Sequence, residues 1–339
     1  MVVGQHNEMK KVVIINFFLI LFIIISLELL VRNFQLSQLM GIESSKLYNL
    51  ENDEYKFKPN TLGLVFNKII YTDDYGFRVP NLEHSYKNNS NSIIFFGDSV
   101  AFGNGVEEQK TFIGLLRQSL KETNFYNLSL PGYQIESHLK NVKYLNKLNN
   151  IKRAFYVFTL NDIDISNNLE GLTKDFEIKE GEFNFINSIK KNIFFSKLNA
   201  FLRDKSYLYI YLKGISSDPS ARWFKYDYNL FKNEKLLENF ELFIDKFVNQ
   251  ISDKEVEFSV IILPYEFQTR KKNCNYELLM PQSKIKKILE KKEIKFYDLT
   301  NEFCNQLDAK TLYYKFDPMH LSEKGHFIVF NYLNEKIFN

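Results

Sequence analysis

The sequence predicts an α/β protein built on a parallel sheet, preceded by one helix that crosses a membrane. Three observations lead there. From residue 92 to the carboxyl end, short continuously apolar runs alternate with amphipathic stretches. That is the pattern of strands buried on both faces and joined by right-handed crossover helices. The residues with chemical potential follow those runs directly, where an open parallel sheet receives its ligands. Ahead of them, residues 12–31 read VVIINFFLILFIIISLELLV, with one Asn, one Ser and one Glu among apolar residues.

At ~1.5 Å rise per residue that first segment is about 30 Å long, the thickness of a bilayer's hydrocarbon core. A buried core helix seldom runs apolar on every face for this length. Glu28 to Phe34 (ELLVRNF) lacks the small residues that a signal peptidase needs, so residues 12–31 read as an uncleaved signal anchor. Neither cysteine lies nearby, which excludes a lipoprotein anchor. Lys10 and Lys11 precede the span and Arg32 follows it. This bias favours a cytoplasmic tail at residues 1–11 and an extracytoplasmic body, periplasmic or extracellular.

Residues 32–91 form a lead-in, polar from residue 43 onward and broken by Pro59, Gly63, Gly76 and Pro80, without an independent core. Within residues 92–339, strands are expected at Ile93–Phe96, Phe125–Leu128, Ala154–Leu160, Phe258–Leu263 and Ile294–Leu299. Helices are expected at Thr111–Leu120, Ile135–Leu148, at the run carrying Leu237, Phe240, Ile244, Phe247 and Ile251, at Ser283–Lys292 and at Gly325–Phe338. Residues 164–232 interrupt the alternation and read as an insertion. It holds a hairpin signal over Phe176–Ile186 and an amphipathic run from Phe194 to Leu212, either core, a cap over the site or a membrane-surface helix.

Composition narrows the function. The 339 residues carry 44 Lys plus Arg against 41 acids, a net charge of +3, so no nucleic-acid footprint is present. At 45% hydrophobic and 25% charged, the chain is neither disordered nor collagen-like. Two cysteines cannot build a disulfide scaffold or a four-thiolate zinc site. No repeat of solenoid period occurs.

The first strand runs into Gly97-Asp98-Ser99 and on to Gly103-Asn-Gly105; the second is followed by Ser129-Leu-Pro-Gly132-Tyr, the third by Asn161-Asp162. Beyond the fifth comes Asp317-Pro-Met-His320-Leu-Ser-Glu-Lys-Gly325-His326. In this order these blocks resemble the SGNH, or GDSL, hydrolase family over residues 93–338. The resemblance implies a three-layer α/β/α sandwich with a five-stranded flavodoxin-like sheet of order 2-1-3-4-5. It also implies Ser99, Asp317 and His320 as catalytic residues, with the Ser99 N–H, the Gly132 N–H and the Asn161 amide as oxyanion donors. No cofactor and no metal is expected. One departure stands out: where the family's third block usually has Gly, this chain has Thr159, which would narrow the pocket. Tyr55–Asn60 and Gly76-Phe77-Arg78 look like the segment that precedes the hydrolase domain in some membrane-anchored relatives, and that resemblance implies that the lead-in at residues 32–91 packs on the catalytic domain.

The chemistry asks for the same residue types. A serine hydroxyl is a weak nucleophile until a base takes its proton. His320 can accept and return one near neutral pH, and Asp317 can hold the ring's tautomer. A tetrahedral oxyanion demands preorganised donors. Read as a helix N-cap, Ser99 leaves His320 and Asn161 unexplained. Asp98 reads as structural, Asp162 as a surface acid without a catalytic role, His326 as packing or support, His84 and His138 as ordinary polar residues. Arg78 could reach an anionic group or, more simply, form an ion pair. Gly103-Asn-Gly105 lacks the third glycine and the Lys-Ser/Thr of phosphate loops. Cys274 and Cys304 follow neighbouring strands and could bond in an oxidising compartment, or stay free.

The reading is a membrane-anchored serine esterase that removes a short, acetyl-type O-acyl group from a cell-envelope glycan. An O-acyltransferase on surface polysaccharide, a non-catalytic acyl-glycan-binding protein and a lipid-directed esterase are the alternatives. The expected partners are the acylated glycan or another small ester and the membrane, with no nucleic acid.

Overall fold

The computed structural model of the chain describes residues 2–34, 47–51, 54–163, 197–199, 201–202, 205–252 and 255–338. They fall into two compact units, one of residues 1–40 with 178–218, the other of residues 41–177 with 219–339. The predicted hairpin over Phe176–Ile186, and Phe194, lie outside the described residues.

The chain opens with helix α1 (Val2–Asn33). Its stretch Lys10–Asn33 is long and apolar enough to cross a membrane, with a mean hydropathy of 2.8 in its most apolar window and no protein covering that window. The lead-in then forms an antiparallel pair, β1 (Tyr48–Glu51) and β2 (Glu54–Phe57), and a three-stranded antiparallel sheet of β3 (Leu62–Val65), β4 (Lys68–Thr72) and β5 (Arg78–Val79). The β3–β4 turn rests on Phe66 and Asn67, at φ of 49° and 60°. Two consecutive left-handed residues give the backbone twist that a tight hairpin needs. Lead-in residues Leu47, Phe57, Val65 and Ile70 share one apolar cluster with Phe102, Leu130 and Tyr133.

The main sheet consists of β6 (Ser92–Phe96), β7 (Asn124–Asn127), β8 (Ile151–Phe158), β9 (Glu257–Ile262) and β10 (Lys295–Asp298). Its order is β7-β6-β8-β9-β10 and every neighbouring pair is parallel. Ranked along the chain, that is 2-1-3-4-5, with the order reversing between β6 and β8. The connecting helices are α2 (Ser99–Phe102), α3 (Phe112–Ser119), α4 (Ile135–Asn141), α5 (Tyr207–Ser216), α6 (Pro219–Leu230), α7 (Glu234–Ser252), α8 (Glu266–Thr269), α9 (Met280–Lys291), α10 (Thr300–Cys304) and α11 (Glu323–Leu333).

Strand side chains divide by parity, as a pleated sheet requires. Ile94, Phe96, Tyr156, Phe158, Val260 and Ile262 enter one core with Phe240, Ile244 and Phe247 of α7 and Ile285 and Leu289 of α9. Ile93, Phe95, Phe155, Val157 and Ile261 enter the other with Phe112 and Leu116 of α3 and Val329 and Leu333 of α11. The result is the three-layer α/β/α sandwich. Burial on both faces explains why the strands read as unbroken apolar runs.

Three element boundaries differ from expectation. The helix expected over Ile135–Leu148 leaves α-geometry after Asn141 and tightens to a 3-10 turn over Val142–Asn146. The last helix starts at Glu323, capped by Ser322, whose hydroxyl accepts from Gly325 N, and widens to a π-turn over Asn334–Phe338. Pro219–Leu230, read as part of an insertion, is a helix whose Phe224, Leu230 and neighbouring Phe231 sit in the sheet's core. Its apolar positions are diluted by Arg222, Lys225 and Asp227, so the run lacked a clear helical stripe.

Candidate active site

Ser99 and Asn161 hang from the carboxyl ends of β6 and β8, on either side of the point where strand order reverses, while Gly132 follows β7 and Asp317 and His320 lie beyond β10. Ligands of open α/β sheets bind in that crevice because the crossover loops part there. Beyond β6, Gly97 lets the chain turn sharply: a Cβ there would lie 2.5 Å from the Ala101 Cβ. Asp98 caps the short α2, its Oδ1 accepting the Val100 N–H at 2.8 Å. The helix stops at Gly103, held at φ 83°, where a side chain would also collide with Thr111.

Arg78 clamps this turn from below. Fully buried, it donates to the Phe102 and Gly103 carbonyls at 2.7 and 2.9 Å and to that of Val106. Burial, partly offset by Glu108, lowers its pKa to about 10. Glu108 itself pairs with Arg117. Arg78 therefore neither faces a substrate anion nor forms the direct ion pair expected of it; it ties β5 to the loop behind Ser99.

Ser99, Asp317 and His320 come together. The Ser99 Oγ lies 2.7 Å from His320 Nε2, and His320 Nδ1 lies 2.8 Å from Asp317 Oδ2. Asp317 is 5% exposed, and its Oδ1 accepts the N–H groups of Met319 and His320 at 2.9 and 2.8 Å. Asp-Pro bends the segment so that one carboxylate serves both backbone and ring. The segment is fixed by Glu266 N donating to Pro318 O (2.8 Å), Tyr314 N to His320 O (3.0 Å) and Ser220 Oγ to Asp317 O (3.2 Å). Burial opposes charge on Asp317, but the His320 ring and three hydrogen bonds hold its carboxyl below the usual carboxylate range. Burial likewise works against an imidazolium at His320; the Asp317 charge and hydrogen bond outweigh it and raise its pKa.

Asn161 is held at both ends of its amide. Its Nδ2 donates to Asp98 Oδ2 at 3.0 Å, and its Oδ1 accepts from Thr159 Oγ1 at 2.7 Å. A carboxylate can only accept, so the amide's orientation is determined: the oxygen faces Thr159, and the second Nδ2 hydrogen remains for a ligand. The Asn161 N–H donates to the Tyr265 hydroxyl at 3.1 Å, and Tyr265 donates to Asp227 Oδ2 at 2.7 Å. Burial first, then the Asp227 charge, pushes the Tyr265 pKa well up, so the phenol keeps its proton. Thr159, expected to narrow the pocket, is 1% exposed and orients Asn161 instead. Gly132 takes φ 78° in the loop after β7, which is tied to the nucleophile's turn by Leu130 N donating to Gly97 O at 3.1 Å. Among the described residues, the N–H groups of Ser99 and Gly132 have no acceptor.

Asp162 is not a surface acid. It is fully buried, its Oδ2 accepts the Thr159 N–H at 2.8 Å, and burial followed by the Asp98 charge raises its pKa well above the carboxylate range. The reason is local: one 3-10 turn, Leu160–Ile163, points Asn161 outward and Asp162 into the core. His326 is buried, lowered by burial to about 3, and accepts the Phe112 N–H at 3.3 Å, joining α11 to α3. His138 is also buried, between the Tyr133 and Tyr156 rings, and lowered by burial to about 3.

Three neighbours escaped the sequence reading. Tyr265 follows β9 within three residues, so the strand-end rule had the power to find it. Asp227 sits in α6, which was read as insertion. Phe66, at the tip of the β3–β4 hairpin, has its ring 6.0 Å from that of His320; nothing in the sequence signals that contact.

No family model and no curated protein matches the sequence. Solved structures do. A member of the lipolytic protein G-D-S-L family from Veillonella parvula is 14% identical over 74% of this chain and 100% of its own, with a TM-score of 0.39. The lipase/acylhydrolase from Enterococcus faecalis is 14% identical over 73% of this chain and 95% of its own, at 0.42. The acetyl xylan esterase AlAXEase is 13% identical over 73% and 99%, at 0.43. This chain is similar to them at that level; the fold and the side-chain geometry above stand on the chain's own residues.

Proposed function

We propose that this protein is a membrane-anchored serine ester hydrolase of the SGNH type. The observation that carries the reading is the continuous hydrogen-bonded path Ser99–His320–Asp317 at the sheet's switch point, beside Asn161 with one amide hydrogen to spare. His320 Nε2 takes the Ser99 proton as Oγ attacks the acyl carbonyl, and Asp317 offsets the imidazolium charge. The tetrahedral oxyanion is received by the Ser99 and Gly132 N–H groups and the Asn161 amide. His320 then gives its proton to the departing alcohol oxygen, and water repeats the sequence in reverse to release the acid and free Ser99.

Residues 12–31 anchor the protein, with the catalytic unit on the extracytoplasmic side. The Cys274–Cys304 disulfide supports an oxidising compartment. An anchored esterase there meets cell-envelope glycans, and the substrate class we favour is a short O-acyl ester on such a glycan. The test is labelling of the detergent-solubilised full chain with a fluorophosphonate. Ser99 takes the label, and Ser99→Ala abolishes labelling and ester turnover. A folded, unlabelled and inert protein would move the reading to an acyl-glycan-binding protein.

A further inference from the structure

Glu28 is the one acid within the apolar stretch 12–31. A carboxylate at membrane depth is costly and persists where it is paired or serves a function. Here its Oε1 accepts the Tyr207 N–H at 3.0 Å and Arg32 Nε at 2.7 Å, while Oε2 accepts the Leu208 N–H at 2.9 Å and Ser206 Oγ at 2.8 Å. Ser206 in turn caps α5 by accepting the Tyr209 N–H at 3.0 Å. Arg32 completes the joint, donating to Lys205 O at 2.9 Å with its guanidinium 4.6 Å from the Tyr207 ring centroid. The first N–H groups of a helix have no partner of their own. In water the Ser206 cap and solvent would serve them, and Glu28 would need nothing. In a bilayer both halves are expensive alone. Each satisfies the other.

The helix so attached is apolar on its outer side. Leu212 and Ile215 are 50% and 58% exposed, and Phe201, just before α5, is 60% exposed. On α1, the residues flanking Glu28 in the same stretch, Leu27, Leu29 and Leu30, are likewise exposed. Ten residues at ~1.5 Å each make about 15 Å, half of what a crossing requires, so α5 can lie in a membrane but not span it. Tyr207, Tyr209 and Tyr211 are of the type that settles at headgroup level.

We propose that α5 is a second membrane contact, an interfacial helix whose Leu212–Ile215 face is covered by lipid acyl chains and which Glu28 holds at the outer end of α1. The inference rests on the membrane-anchor reading, and its test separates the two. The full chain, with W223F so that each added tryptophan is alone, is reconstituted in phosphatidylcholine vesicles containing dibrominated phosphatidylcholine. Variants F18W, L212W and I215W are expected to lose fluorescence to the bromines and to emit at shorter wavelength. E290W, on α9, is expected to do neither. An unquenched F18W would sink the anchor itself. A quenched F18W beside unquenched L212W and I215W would overturn this inference alone, in favour of solvent if their emission is water-like and of a protein cover if it is not. Adding E28L to L212W is expected to bring its quenching down towards that of E290W, whereas E28Q, which keeps an acceptor, retains it. Quenching unaltered by E28L would overturn the tie.

Discussion

At the scale of single residues, the site is governed by who holds whom. Asn161→Ala is expected to lower kcat by about 10²–10³ with a smaller change in KM, the signature of a lost oxyanion donor. Tyr265→Phe keeps the ring but removes the acceptor of the Asn161 N–H and the donor to Asp227. It is expected to lower kcat by about tenfold, a loss of about 1.4 kcal/mol suited to one buried hydrogen bond. Steady-state kinetics on a p-nitrophenyl ester read both, and an unaltered Tyr265→Phe would show that Asn161 needs no such support. The pair Asp317–His320 sets the pH response. The raised His320 pKa places the acid limb of kcat/KM above the ordinary histidine value of about 6.5. In Asp317→Asn the limb is expected to move down as kcat drops by about 10⁴, as an imidazole without its orienting carboxylate does in other triads. Stability runs differently. The depressed Asp317 contributes above an unfolded value of about 4 and is lost as pH falls through its folded pKa. The raised His320 contributes fully below about 6.5 and is lost as pH rises through its folded pKa. The pair therefore stabilises the fold most where His320 is still protonated, the state in which the proposed mechanism leaves it unable to act as base. Because the buried, neutral His138 and His326 add stability as pH rises, the pair's share is read as the difference in melting temperature between the native protein and His320→Gln; a difference that does not shrink as pH rises above the acid limb would contradict it.

At the scale of elements, legibility followed burial. Strands buried on both faces announced themselves as apolar runs, and Ser99, Gly132, Asn161, Asp317 and His320 were legible because each follows a strand end or closes the last loop. Thr159 was read as bulk because a sequence gives the residue and not the direction of its hydroxyl, which decides that it orients rather than obstructs. Asp162 was misread because one turn of 3-10 helix separates outward from inward, and a period of three is not visible in four residues. Asp227 was hidden by α6, whose polar positions obscured its stripe. Two links between elements make measurable predictions. Arg78→Met takes the guanidinium donor from the Phe102 and Val106 carbonyls and leaves Gly103 O with the Val106 N–H alone, so a loss of several kcal/mol is expected in urea unfolding. Cys274 and Cys304, with Cα atoms 6.1 Å apart, close a loop of 30 residues between the segment after α8 and the end of α10. In the chain-entropy account that is worth about 4 kcal/mol. The double variant C274S/C304S is expected to unfold at correspondingly lower urea while keeping its turnover at low temperature; equal stability would mean that the link adds nothing.

At the scale of the whole molecule, the apolar helix α1 and the Ser99–His320–Asp317 path belong to separate units, so the anchoring and the hydrolysis proposed for them are expected to fail separately. A version starting at residue 41 removes α1 and with it the acceptor for α5, while every hydrogen bond of the Ser99–His320–Asp317 path stays within the second unit. Its fluorophosphonate labelling in solution is expected to match that of the full chain in detergent. Absence of labelling in a folded product would show that the catalytic unit depends on its anchor. The sheet's order has a further consequence in time. The nucleophile and its base lie 221 residues apart, and β6, at the middle of the site, is made before β8, β9 and β10. A chain leaving the ribosome therefore exposes Ser99 long before Asp317 and His320 exist. Until residues 317–320 have been added, it carries a serine without the base that the proposed mechanism assigns to it. A product ending before residue 317 is therefore expected to take no fluorophosphonate label, whatever the state of its Ser99 turn.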